Sequence, residues 1–147
     1  MIQLVPLLKF AVEVGDPVNL GQCGGAVRRM IPITGGQVSG AHKGTILPGA
    51  DWQHIGPDGC LDIAARYILS LEEGLVEVDS RGLRHAAPDV AARLQQGVPV
   101  QRDEYYFRTV MRFTTSSPVL AYLNRLIAVS AGERLTHCVN LDVFQVT

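Results

Sequence analysis

The stretch Leu61-Asp62-Ile63-Ala64-Ala65-Arg66-Tyr67-Ile68-Leu69-Ser70-Leu71 is strongly strand-like, with one apolar and one mixed face, and its reading decides the fold. Leu61, Ile63, Ala65, Tyr67 and Leu69 share one side of an extended chain, and Asp62, Ala64, Arg66, Ile68 and Ser70 share the other. A period of two is the signature of a strand with one buried face. Glu73-Gly74 follows as a hairpin signal, and Leu75 to Val78 answers as the returning strand. Outward from this hairpin the same pattern recurs. Leu4 to Val14, Ala26 to Ile33, a broken Val38 to Leu47, Glu104 to Thr114, Leu126 to Ser130 and Cys138 to Val146 all read as strands. Thr34-Gly35-Gly36 and Pro48-Gly49-Ala50 read as turns between them.

One helix is expected. Pro88 suits a first turn, Val90, Ala91 and Leu94 share a face, and Gly97 fits the position just past the end. Ser117-Pro118 is the start of a second short helical turn ahead of Tyr122. Eight or nine strands with a single short helix predict an all-β domain spanning residues 1–147, an antiparallel barrel or sandwich.

Composition bounds the function. The chain has 147 residues, 13 Lys and Arg against 14 Asp and Glu, and a formal net charge of -1, which is not the basic surplus of a nucleic-acid module. No apolar run reaches the roughly 20 residues of a membrane span. The opening MIQLVPLLKF lacks the basic start and long apolar stretch of a signal peptide, so a cytoplasmic protein is expected. Cys23, Cys60 and Cys138 are odd in number and far apart, which argues against a disulfide framework. His42, His54, His85 and His137 show no metal-ligand spacing, and no phosphate loop or serine elbow occurs. Neither a metal nor a cofactor is expected. Eleven of the basic residues are Arg and two, Lys9 and Lys43, are Lys. A planar, permanently charged guanidinium serves where a carboxylate or phenolate must be held, and lysine does not replace it there.

Two features carry the chemistry. In Glu104–Thr114, Tyr105, Phe107, Thr109, Met111 and Phe113 form one face, and Tyr106, Arg108, Val110 and Arg112 the other. A closed barrel with a polar cup would turn Arg66 and Arg108 inward, whereas the plainer reading leaves Arg66, Arg108 and Arg112 on a solvated face. Asp51 stands beside the single tryptophan, Trp52, after a Pro-Gly turn. Desolvation by the indole would raise its pKa toward neutrality and suit it to proton transfer, unless it merely caps its own loop. Tyr105-Tyr106-Phe107-Arg108 is a poor stacking platform for nucleic acid, since alternation splits its aromatic rings between faces.

Several ordered motifs now converge. They are Arg28-Arg29-Met30-Ile31-Pro32-Ile33-Thr34-Gly35-Gly36, Gly44-Thr45-Ile46-Leu47-Pro48-Gly49-Ala50-Asp51-Trp52-Gln53, and Ala65-Arg66-Tyr67. Arg81-Gly82-Leu83-Arg84, Tyr105-Tyr106-Phe107-Arg108-Thr109 and Leu123-Asn124-Arg125 complete them. Over nearly its whole length the chain resembles the bacterial and fungal family called domain of unknown function 3237, or uncharacterised protein family 0311. The resemblance implies a calycin-like (lipocalin-like) β-barrel. It also implies a cup lined by Arg28, Asp51, Trp52, Arg66, Tyr67, Tyr106, Arg108 and Asn124. Two positions depart from the family pattern: Thr114 replaces an acid after the Arg-Phe pair, and Tyr122 replaces a tryptophan before Leu-Asn.

The leading expectation is a lyase, isomerase or cyclase without a cofactor, acting on a small anionic organic molecule of aromatic or polyketide-like type. In it Asp51 moves the proton, Arg66 and Arg108 stabilise developing negative charge, and Tyr106 donates a hydrogen bond or proton. Asn124 orients a carbonyl, Trp52 walls the pocket, and Arg28 and Tyr67 bind substrate. The alternatives are a non-catalytic barrel that binds a small molecule, and a barrel whose arginines are purely structural. The expected partner is a small molecule, with neither nucleic acid nor membrane, and a homodimer is left open.

Overall fold

The computed structural model describes residues 1–147. Ten strands are present: β1 Leu4–Val14, β2 Val18–Cys23, β3 Ala26–Gly40, β4 Gly44–Ile46, β5 Gly49–Ile55, β6 Leu61–Leu71, β7 Gly74–Ala86, β8 Tyr105–Thr114, β9 Ile127–Arg134 and β10 Cys138–Val146. Neighbours run antiparallel, and β1 pairs with both β10 and β3, which closes the sheet. Strands β4 and β5 share one place in the barrel, pairing β3 on one side and β6 on the other. On the other flank of β3, β1 pairs its second half and β2 its first. The ten segments therefore make eight staves, the expected antiparallel barrel.

The strands are longer and less interrupted than the sequence pattern implied. β3 runs through Thr34-Gly35-Gly36 without turning, because Gly36 takes a φ of 145° where β1 presses on it. A Cβ there would collide with the Ala11 carbonyl. Gly49 and Ala50 likewise lie inside β5, and not in a turn. β7 continues past Val78 to Ala86.

Alternation sends Leu69, Val76, Val78, Met111, Phe113 and Ala128 into one half of the interior, where they pack solid. Leu120 and Leu123 close that end as a plug; both are fully buried on the segment between β8 and β9. The other half is hollow. Its mouth is overhung by the only α-helix, α1, Pro88–Gln95. Pro88 stands in the first turn, Asp89 and Arg93 pair one turn apart at 3.9 Å, and Gly97 ends the helix with a φ of 74°. The Gly97 and Val98 amides donate back to Leu94 and Arg93, satisfying the carbonyls a helix end exposes. Val90 is buried against the core, while Ala91 and Leu94 face the hollow. No helix is long and apolar enough to cross a membrane. All three cysteines are free.

Candidate functional site

The hollow is a cavity of about 600 Å³, within the usual range for small-molecule sites. Its walls are mostly apolar, with Val12, Ile31, Ile33, Ile63, Leu61 and Phe107 among them. Four charged side chains from four strands converge inside: Arg29 on β3, Asp51 on β5, Arg84 on β7 and Arg134 on β9.

Register places them. Ile31 pairs with Asp51 and Arg29 with Gln53 across β3 and β5, so Asp51 and Gln53 face inward on the same row as the buried isoleucines. Arg84 continues the inward row of Val76, Val78 and Ser80, and Arg134 that of Ala128 and Ser130. Arg29 Nε donates to Gln53 Oε1 at 2.7 Å, and Gln53 Nε2 donates to Asp51 Oδ2 at 2.7 Å. The Ala64 amide donates to Asp51 Oδ1 at 3.2 Å. Gln53 thus links a guanidinium to a carboxylate that it does not touch.

Burial dominates the electrostatics. It pushes the Asp51 carboxyl up to about 6, against the opposing pull of the Gln53 and Ala64 hydrogen bonds and of Arg84 and Arg29. Burial also lowers Arg84 to about 10, with Arg134 and Arg29 adding repulsion. Arg29 and Arg134 are lowered as well, again chiefly by burial. Tyr67, 4% exposed, is raised by burial and by the Asp51 charge.

Two polar atoms in the cup are buried without any hydrogen-bond partner, Tyr67 Oη and Arg134 Nη1. An unmet buried polar group costs about 1–3 kcal/mol. Arg84 lies over the Phe107 ring at 5.9 Å and, like Arg134, forms no ion pair with a carboxylate.

Of the residues expected to line the cup, the structure brings Asp51 and Tyr67 there. The others lie elsewhere, and their inward placement is corrected. Trp52 follows Asp51 in a strand and so faces out, 41% exposed, with Arg28 over its ring at 5.3 Å. Arg28 Nη1 also lies 3.0 Å from His54 Nδ1. Arg66 is on the outer wall, paired with Asp79 at 3.3 Å and Glu77 at 3.6 Å. Tyr106 stacks on His85 outside the barrel, and Arg108 lies over the Tyr106 ring while donating to the Phe107 carbonyl at 2.9 Å. Asn124 sits at the closed end, where its side chain bonds both the amide and the carbonyl of Thr115. There it fixes the plug. Tyr122, one of the two departures, hydrogen-bonds His42 at 2.6 Å at that same end, and His42 bonds Glu73 at 2.7 Å.

The arginines of the cup were missed although their signal was present. Arg29 is in phase with Ile31 and Ile33, and Arg84 with Val76 and Val78. Arginine at the end of an apolar row looks like a strand emerging into solvent, and only closure of the barrel shows otherwise. No three His, Cys, Asp or Glu side chains converge as metal ligands.

Fold and cup together define an antiparallel β-barrel that is packed at one end and opens at the other onto a polar, arginine-rich interior. The family described as "Protein of unknown function (DUF3237)" matches residues 2–146. The chain belongs to that family. A protein of Bradyrhizobium diazoefficiens carrying the family name UPF0311 is 40% identical over 139 residues, 93% of this chain and 91% of the relative. The crystal structure of a conserved protein of unknown function from Rhodopseudomonas palustris is 33% identical. It superposes with a TM-score of 0.96 over 100% of this chain and 99% of its own. An enzyme from Penicillium herquei shares the fold at a TM-score of 0.73 with 18% identity, over 100% of this chain and 94% of its own.

Proposed function

We propose that the protein is a cofactor-independent enzyme that moves a proton on a small anionic organic molecule held in the barrel cup. The observation that carries this reading is Asp51: a carboxyl inside an apolar-walled cavity, held by two donors, with burial bringing its pKa to about 6. Such a group takes or gives a proton near neutral pH, whereas an ordinary aspartate is a weak base there. Arg84 and Arg134 supply fixed positive charge where negative charge would develop on an enolate or phenolate. Tyr67 offers a hydroxyl donor that burial keeps protonated. Phe107 and the isoleucines provide an apolar wall for an aromatic skeleton. The fungal barrel of the same fold, described as an enzyme, is consistent with this use of the architecture.

A binding barrel is the second reading, and the bonding of Asp51 favours it. Both carboxylate oxygens already accept a hydrogen bond, as they would if Asp51 served only to balance Arg29.

The two separate in one experiment. The chain and its Asp51→Asn variant are incubated with a small-molecule extract of bacterial cells, and bound and free compounds are compared by mass spectrometry. Catalysis predicts that the native chain converts a retained compound. The variant should retain the same compound while converting it about 10²–10⁴-fold more slowly. A compound enriched unchanged by both proteins would establish the binding barrel.

A further inference from the structure

The charges of the cup do not balance, and the imbalance is divided unequally among its residues. Three guanidiniums, Arg29, Arg84 and Arg134, face one carboxylate, Asp51, so the lining carries 3 − 1 = 2 uncompensated positive charges when Asp51 is ionised. The Arg29–Gln53–Asp51 chain is internally matched, donor to acceptor at 2.7 Å twice over. What remains is Arg84, resting on Phe107 without a counter-ion, and Arg134, whose Nη1 has no partner. Tyr67 Oη is the second unmet atom, on a side chain only 4% exposed.

Buried charges are normally paired, because desolvation without a partner is costly. Two guanidiniums that repel each other in a cavity are poorly explained as scaffolding. The surrounding wall is apolar and the space, about 600 Å³, is far larger than an inorganic anion needs. A molecule with a carbon skeleton fits such a space.

We propose that the ligand of the cup is a planar organic dianion, such as an aromatic dicarboxylate or a carboxylate-phenolate. Its two charges meet Arg84 and Arg134, and Tyr67 donates its hydroxyl to a further oxygen of the same molecule. This rests on the cup being the functional site, and narrows its substrate class from anions in general to molecules with two negative groups. Arg84 and Arg134 are then specificity residues: they select for charge number, while Asp51 handles the proton.

The test is calorimetric titration of the full chain with naphthalene-2,6-dicarboxylate, 2-naphthoate and inorganic phosphate. The dicarboxylate should bind at least about tenfold tighter than the monoanion of the same ring system, with a steeper loss of affinity in added salt. Phosphate should bind weakest. Arg84→Gln and Arg134→Gln, checked for native circular dichroism, should each reduce the preference to about threefold or less while the monoanion still binds. The proposal is overturned by equal affinities in the native chain, by absence of saturable binding of the dicarboxylate, or by tightest binding of phosphate. A preference that survives in both folded variants would also overturn it. The native-chain comparison decides the matter even if neither variant folds. Failure here is separable from failure of the catalytic reading. A dianion preference with conversion undiminished in Asp51→Asn removes only the acid–base role, and lost preference with conversion still dependent on Asp51 removes only the dianion.

Discussion

Asp51 makes stability depend on pH, and the direction follows from burial. Its carboxyl ionises near 3.8 when unperturbed and near 6 in the fold. Below both values the group is neutral in either state and costs nothing. Between them the folded chain holds a proton that the unfolded chain has released, so folding weakens as pH rises through this window. Above about 6 the full penalty, roughly 3 kcal/mol for a shift of about two pH units, is in place. Thermal unfolding of the native chain and Asp51→Asn between about pH 4 and 7 checks this. The native chain should lose stability relative to the variant as pH rises, and a constant difference would show that the carboxyl is solvated. Part of this site was legible in the sequence. Asp51 beside an aromatic residue after a turn suggested a shifted carboxyl, and the shift is present. Its cause is different, since Trp52 points to the outside and the barrel interior does the desolvating. Arg28 and Arg29 show why the remainder was not legible. They differ only in phase, and choosing between them requires knowing that the Ile31 row is the inner one and that the cup extends as far as Arg29.

At the level of strands, the same question of phase separates what was read correctly from what was not. β6 and β8 alternate cleanly, and their apolar rows are the buried ones. The inference that their polar rows turn inward failed for a physical reason. The apolar row is needed to fill the packed half of the barrel, and a strand cannot present both rows to one interior. The helix was legible because its signals are local: Pro88, the Val90–Leu94 face and Gly97 all act within a few residues. β2 and the full length of β3 were not, because their pairing depends on distant strands. Strand β9 offers a test at this scale. Gly132 faces inward, and a Cβ there would sit 2.7 Å from the Phe107 ring. Gly132→Ala must therefore push Phe107 aside, which should cost about 1–3 kcal/mol by urea unfolding. Phe107 also lines the cup and lies beneath Arg84, so binding of the dicarboxylate should weaken in the same variant. Native affinity in a folded Gly132→Ala chain would show that the Phe107 wall takes no part in the site.

Across the whole molecule the barrel divides its work between its two ends. The closed end holds the packed side chains, the Leu120–Leu123 plug, the Asn124 clamp and the His42–Glu73–Tyr122 chain, and it supplies stability. The open end sacrifices packing for a cavity and places like charges in it. Most of the eleven arginines lie outside the cup, and three, Arg29, Arg84 and Arg134, lie within it. If the open end exists for a ligand, the free protein is less stable than it need be, because function holds charges that folding alone would discard. The most direct measurement is therefore the unfolding free energy of the native chain and of Arg84→Met, each with and without naphthalene-2,6-dicarboxylate. The methionine keeps contact with Phe107 and removes the unpaired charge. The free variant should be more stable than the native chain by about 1–4 kcal/mol, and the dicarboxylate should stabilise the native chain more than the variant. A free variant less stable than the native chain, or a variant stabilised equally by the ligand, would contradict a cup built to hold an anion.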